Sequence, residues 1–310
     1  MKKIYLTTFA ILISSLGFVF GQKVGEKPAP QRSGLSPGAA IVLGLVEGIT
    51  EYLPVSSTGH LLLAERLLGL GGEGQKESAD AYAICIQAGA ILAVLLLYFG
   101  RVKTMAAGLL GRNQNGLRLS LNILVAFLPA VIIGLLLGDH IKKYLFGVWP
   151  VVSAWAAGGV VILWVSGSRR RDSQAGGMLE SLGWQQALII GLIQCLAMWP
   201  GVSRSLVTIL GGVLVGLSVP AAVEFSFLLG LVTLSAATAH DAYQSGHTIL
   251  RDYGLFTPIL GFICALVSAL AAVKWMVNYL QRHGLAVFGW YRIGLAAVIT
   301  ILIVSGILRI

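Results

Sequence analysis

The sequence predicts an all-α polytopic membrane protein, with six transmembrane helices and two re-entrant helical hairpins in an inverted-topology repeat. Three observations predict it: an apolar composition, six apolar runs of spanning length, and two further apolar regions broken midway by matching polar segments. Hydrophobic residues fill 56% of 310 positions and charged residues only 11%, with a mean hydropathy of +0.84. Soluble domains carry about 25% charge, so this chain lacks the polar side chains to cover itself in water. The net charge of +9 does not point to nucleic acid. Its Lys and Arg fall in short loops between apolar runs, where they orient a membrane protein. Cys85, Cys195 and Cys264 all lie in apolar stretches, which excludes a disulfide framework and zinc spacing.

Taken in order, Lys2 and Lys3 precede an apolar run from Ile4 to Phe20, and residues 1–21 read as a secretory signal peptide. An uncleaved first membrane helix is the other reading of that run. Residues 22–37, with Pro28 and Pro30, read as a polar linker, and residues 38–310 as the membrane domain. Within it, 80–99, 118–138, 149–167, 220–240, 256–280 and 290–308 are apolar enough to span. A span needs roughly 20 residues to cross a hydrocarbon core of about 30 Å. Residues 38–68 and 184–217 do not fit as spans, because Leu53-Pro54-Val55-Ser56-Ser57-Thr58-Gly59-His60 and Pro200-Gly201-Val202-Ser203-Arg204-Ser205 break them. Their arms are too short to cross alone. Irregular backbone at membrane depth is tolerated only under protein or beside a water-filled cavity, so each is expected to be a re-entrant hairpin.

The two broken regions match at an ungapped offset of 147 residues. Gly44-Leu45-Val46-Glu47 falls on Gly191-Leu192-Ile193-Gln194, Tyr52 on Trp199, and Val55-Ser56-Ser57-Thr58 on Val202-Ser203-Arg204-Ser205. One hairpin and three spans make each repeat, over residues 38–167 and 184–310. With an exported start, three segments are interior: Arg101, Lys103, Arg112 and Arg118; Arg169, Arg170 and Arg171; Lys274, Arg282 and Arg292. The exterior segments hold Arg66 with Lys76, Lys142 with Lys143, Arg251, and Arg309. The interior excess is the positive-inside bias, and it places both the mature N-terminus and the C-terminus outside. Three spans per half is an odd number, so the second half is inverted. Such repeats put their sites where broken helices meet.

Glu47 and Glu51 are four apart on a predicted helix and share a face. Intramembrane carboxylates face a cavity, a partner or an ion, which fits divalent-metal ligation or acid–base work. Ser56, Ser57, Thr58 and His60 fall at the first tip. Ser56 reads equally as an N-cap, while His60, three residues from Ser57, is placed to act as its base or to protonate a leaving group. Arg204 is the strongest signal, because a guanidinium at membrane depth needs an anion and its fork suits phosphate oxygens. Gly201 permits close backbone approach, and the helix N-terminus near Ser203 adds an anion site. With Arg204, the residues Ser56, Thr58, Ser203, Ser205 and Thr208 make the expected phosphate-binding set. An ion pair from Arg204 to Glu47 or Glu51 is the structural reading of the same residues. Glu224 either supports Arg204 or pairs elsewhere in the bundle, and Gln87 reads as a helix–helix hydrogen bond.

Gly44-Leu45-Val46-Glu47-Gly48-Ile49-Thr50-Glu51-Tyr52-Leu53-Pro54-Val55-Ser56-Ser57-Thr58-Gly59-His60 resembles the first signature of the undecaprenyl-pyrophosphate phosphatases linked to bacitracin resistance. Pro200-Gly201-Val202-Ser203-Arg204-Ser205, followed by Thr208, resembles their second. The likeness runs from about Gly38 to the C-terminus. It implies hydrolysis of undecaprenyl pyrophosphate in the bacterial inner membrane, with the site facing outward. Its functional positions fall on Glu47, Glu51, Ser57, His60, Ser203, Arg204 and Thr208, and it implies Mg2+ or Ca2+, expected on Glu47 and Glu51. The partners expected are a polyprenyl pyrophosphate lipid, the bilayer and a second copy in a homodimer. Leu206-Val207 stands where the family usually has glycine and another small or polar residue, which affects how Thr208 is presented. Two chemical routes stay open, attack by Ser57 with His60 as base, or attack by activated water. The rival function is a transporter or flippase of a phosphorylated prenyl lipid, because inverted repeats with broken helices recur in that class.

Overall fold

The computed structural model describes residues 35–70, 76–168 and 176–308. The leader at 1–21, nearly all of the linker, and the basic run Arg169–Arg171 lie outside the described residues. Eleven α-helices form in the described residues: α1 Pro37–Thr50, α2 Ser57–Leu67, α3 Lys76–Leu97, α4 Phe99–Leu109, α5 Gln114–Leu145, α6 Val148–Ser168, α7 Trp184–Gln194, α8 Arg204–Leu214, α9 Val219–Tyr253, α10 Phe256–His283 and α11 Ala286–Val304. Short 3-10 turns stand at Leu179–Ser181 and Cys195–Met198. No named strand occurs among the described residues, where Gly177 and Leu217 form an isolated bridge.

Five helices have the length and apolarity to cross a membrane: Gln114–Gly138, Val148–Gly167, Val219–Tyr243, Phe256–His283 and Ala286–Val304. A sixth arises if Ala81–Leu97 and Phe99–Leu109, bent by 79° at their break, count as one span. The chain is therefore a multi-pass membrane protein. Its exposed surface is paved with Leu135, Leu136, Trp164, Ile301 and similar side chains, as lipid contact demands.

The internal repeat of the sequence is visible in the helix bounds. Adding 147 to Ser57–Leu67 gives 204–214, the bounds of α8, and adding it to Pro37 gives the first residue of α7. Packing follows the same exchange of halves. Helix α1 packs on α10 as α7 packs on α5, while α3 meets α9 and α6 meets α11. The approaches are close, and the equivalent glycines Gly44 and Gly191 explain why. A Cβ on Gly44 would lie 2.5 Å from the Gly261 carbonyl oxygen, and one on Gly191 would run into the carbonyl oxygen of Ala126. Without side chains at these points the backbones touch, the usual route to helix association where lipid supplies no hydrophobic drive.

One expectation fails here. Arg292 is not a loop charge at the inner surface but a fully buried side chain in α11. The third interior segment then keeps only Lys274 and Arg282, and its charge bias is weaker than the sequence count. Gln87 does what its polarity in a span predicts, accepting from Thr238 of α9 at 2.8 Å.

Candidate active site

The first broken region ends α1 with the carboxylate pair in its last turn. Glu51 is the C-cap, its N–H donating to the Glu47 carbonyl. Tyr52 to Val55 then turn the chain, and Ser56 takes φ 75° immediately before α2. The second region repeats the device, with Ser203 at φ 79° immediately before α8. These are the two non-glycine residues with positive φ among the described residues. Such backbone costs about 1–3 kcal/mol per residue and survives only where its surroundings over-determine it. Both tips are therefore built under strain, at the 147-related positions that launch Ser57 and Arg204.

The tips meet. Arg204 Nη2 donates to Glu51 Oε1 at 3.0 Å, with side chains only 10% and 6% exposed. The other carboxylate oxygen of Glu51, Oε2, accepts a hydrogen bond from the Ser57 hydroxyl. Glu51 thus couples the serine of one tip to the arginine of the other, although 153 residues separate it from Arg204. Ser205 Oγ donates to the Leu53 carbonyl at 2.9 Å and lies 3.0 Å from Ser203 Oγ, a second tie between tips. Arg204 Nη1 donates to the Ser226 carbonyl at 3.1 Å, and its guanidinium lies 5.1 Å from the ring centroid of Tyr52. Glu47 is buried beside this pair, and its Oε2 has no hydrogen-bond partner. The Tyr52 hydroxyl and Arg204 Nε are likewise buried and unpaired. An acceptor and two donors without partners mark a place where polar atoms from outside the chain are wanted.

His60 is committed elsewhere. Its Nδ1 lies 2.6 Å from the Ser56 carbonyl oxygen, which requires Nδ1–H to donate. Its Nε2 then accepts from the Tyr291 hydroxyl at 2.8 Å, and the two rings stack. The group that accepts from the Ser57 hydroxyl in this arrangement is Glu51, while His60 is held by Ser56 and Tyr291. Neither imidazole nitrogen is free, because α11 brings Tyr291 against the tip.

Residues 40–298 match the bacitracin resistance protein BacA family. The chain belongs to that family. An undecaprenyl-diphosphatase of Sorangium cellulosum is 45% identical over 262 residues, 84% of each chain. "Undecaprenyl-diphosphatase 2" of Rhodospirillum rubrum is 45% identical over 269 residues, 86% of this chain and 95% of the relative. An undecaprenyl-diphosphatase of Nitrosospira multiformis is 43% identical over 270 residues, covering 87% and 96%.

The remaining expected residues of this BacA-family site sort by contact. Ser203 caps α8 by accepting from the Leu206 N–H, whereas Ser56 occupies the same position before α2 and makes no side-chain cap. Thr58 is exposed and outside the cluster. Thr208 is fully buried behind it, donating to the Arg204 carbonyl at 2.8 Å and lying 2.6 Å from Ser226 Oγ. Leu206 and Val207, which precede Thr208, are buried with it. Glu224 does not support Arg204. It takes Arg101 Nε at 2.6 Å, and Arg101 also reaches Glu180 at 3.0 Å. There, backbone N–H donation first and Arg101 after it hold the Glu180 carboxyl below its ordinary range.

Ser226, Tyr291 and Arg292 were not anticipated. For Arg292 a signal existed, since it lies inside the apolar run 290–308 and an ionisable residue within a span is a functional candidate by default. Ser226 and Tyr291 carry no such signal, because only tertiary packing brings them to the tips. For a divalent cation, the fit rests on the unpartnered Glu47 Oε2 beside Glu51 and Ser57. Two carboxylates and a hydroxyl are hard oxygen donors suited to Mg2+ or Ca2+; Mg2+ in particular is commonly held by one or two protein carboxylates, with phosphate and water completing its shell. Among the described residues no group of three or more His, Cys, Asp or Glu converges.

Proposed function

We propose that this chain hydrolyses undecaprenyl pyrophosphate to undecaprenyl phosphate and inorganic phosphate, recycling the cell-wall lipid carrier in the bacterial inner membrane. The observation that carries the mechanism is the chain of contacts Ser57–Glu51–Arg204, which joins a hydroxyl, a carboxylate and a guanidinium across two helix starts. The names of the relatives, all undecaprenyl-diphosphatases, support hydrolysis over transport.

A pyrophosphate group enters a low-dielectric site only against compensating positive charge. Arg204 supplies a forked cation, and the N-termini of α2 and α8 supply backbone N–H groups. Ser57 Oγ attacks the terminal phosphorus while Glu51 takes its proton, and the bond to the bridging oxygen breaks, so that undecaprenyl phosphate leaves. Arg204, freed from Glu51 as that carboxylate is neutralised, turns its donors to the phosphoryl oxygens, where charge is greatest in the transition state. Glu51 gives the proton from Ser57 to the departing undecaprenyl phosphate and, a carboxylate again, takes one from the water that cleaves the phosphoserine, releasing inorganic phosphate and returning a proton to Ser57 Oγ. Direct attack by water held on Glu47 and Glu51 is the alternative. Glu47 and Glu51 would hold Mg2+ or Ca2+, which when bound neutralises phosphate charge.

The matching helix bounds and the paired packing support six crossings with two non-crossing hairpins, the halves inverted. The interior excess of Arg and Lys supports outward-facing termini. Purified protein in detergent, which has no membrane sides, should release phosphate from the C55 pyrophosphate lipid. A Ser57→Ala variant that keeps full turnover selects the water route; a trapped phosphoserine selects the covalent one.

A further inference from the structure

Arg292 is fully buried in the second turn of α11, and every one of its five N–H donors is used. Nη1 donates to the carbonyls of Pro54 at 3.3 Å and Val202 at 3.1 Å. Nη2 donates to Gly201 and Ala154, each at 2.8 Å, and Nε to Trp155 at 3.4 Å. Three of these five carbonyls lie in the two broken segments, immediately before Ser56 and Ser203. None of the ion pairs among the described residues includes Arg292. A guanidinium buried without a carboxylate is expensive, and a protein that needed only packing here could place an apolar side chain. Turn carbonyls ahead of a helix have no intrahelical partner, and the planar fork is the side chain able to satisfy several at once.

We propose that Arg292 is the positioning residue that fixes the two serine tips relative to each other, setting Ser57 against Glu51 and Arg204. It acts through backbone, and its neighbours extend the same hold: Trp155 Nε1 donates to the Val55 carbonyl at 3.1 Å, and adjacent Tyr291 holds His60. The proposal rests on the hydrolase reading above. With Arg292 removed, the tips keep their residues but lose their common reference, and an ångström of misplacement costs on the order of a hundredfold in rate.

The experiment measures kcat and KM for phosphate release from undecaprenyl pyrophosphate, normalised to monodisperse protein, alongside the thermal unfolding midpoint. Arg292→Met should lower kcat about a hundredfold and leave KM within about threefold. Arg292→Lys keeps the charge without the fork, and should recover less than a tenth of the wild-type kcat. Should Arg292→Met fail to fold, Gly158→Ala decides. Its Cβ would strike the Arg292 guanidinium from α6, displacing it without deleting it, and kcat should fall about tenfold. Where Arg292→Met folds, adding Gly158→Ala should cost nothing more. Wild-type kcat in Arg292→Met or Gly158→Ala, with only the unfolding midpoint lowered, would overturn the proposal, as would full recovery in Arg292→Lys. A wild-type protein that releases no phosphate would instead sink the hydrolase reading itself.

Discussion

Glu51→Gln tests the centre of the site with almost no change of shape. The amide keeps an oxygen for the Ser57 hydroxyl but cannot take its proton, and it removes the carboxylate that Arg204 meets at 3.0 Å. With both side chains at most 10% exposed, loss of one partner leaves a buried cation held mainly by the Ser226 carbonyl. Breaking a buried pair in this way costs about 3–5 kcal/mol of stability. General-base catalysis contributes about 10²–10⁴ in rate, and the mispositioned guanidinium adds to the loss. The expected fall in kcat is about 10³–10⁴, equivalent to about 4–5.5 kcal/mol. The assay is phosphate release from undecaprenyl pyrophosphate at saturating substrate, with thermal unfolding measured in the same detergent. His60→Ala is the control, expected to lose only about tenfold, because that imidazole holds backbone and Tyr291 rather than Ser57. If Glu51→Gln stays within tenfold of wild type while His60→Ala abolishes turnover, the imidazole is the base and the assignment made from the hydrogen bonds is wrong.

Further outcomes are expected in other variants. Gly230→Ala places a Cβ against the Arg204 guanidinium, and kcat should fall about tenfold to a hundredfold in the same assay. Tyr291→Phe removes one hydrogen bond to His60, worth about 0.5–1.5 kcal/mol, and should slow turnover by about threefold to tenfold. Glu224→Gln weakens the half-buried Arg101 contact, which does not involve Arg204 or Glu51, and should leave kcat within about threefold. Ser56→Gly relieves φ 75° at a residue that caps nothing, and should raise thermal stability by about 1 kcal/mol. Ser203→Gly gains less, because its hydroxyl caps the Leu206 N–H.

Much of this site is written locally. The four-residue spacing of Glu47 and Glu51 places them in one helical turn whatever surrounds them, and the structure keeps them there. The offset of 147 relates the two broken regions by composition alone, and the equal bounds of α2 and α8, with both preceding serines at positive φ, follow from it. The presence of Arg204 in an apolar helix announces an anion nearby, since burial of an uncompensated guanidinium is too expensive to be accidental.

Pairing is a different matter. Sequence proximity favoured His60 for Ser57, three residues away and on the same helix. Yet the hydroxyl donates to Glu51, because the chain reverses at Pro54 and brings the end of α1 back over the start of α2. Glu224 was equally placed by sequence to meet Arg204 or another cation, and the lateral packing of α9 against its neighbours gave it Arg101. Arg292 counted as one positive charge among several along the chain. Its burial and its five carbonyls depend on α6, α11 and both tips arriving at one point.

By itself the sequence determined the class, the repeat, the face on which the carboxylates lie and the need for an anion at Arg204, because these follow from helical periodicity, composition and the cost of charge in hydrocarbon. Only the tertiary structure decided which carboxylate Arg204 meets, which group accepts the Ser57 hydrogen bond and which carbonyls Arg292 reaches. Hydrogen bonds are satisfied between whatever groups packing brings within about 3 Å, and separation along the chain does not encode that distance.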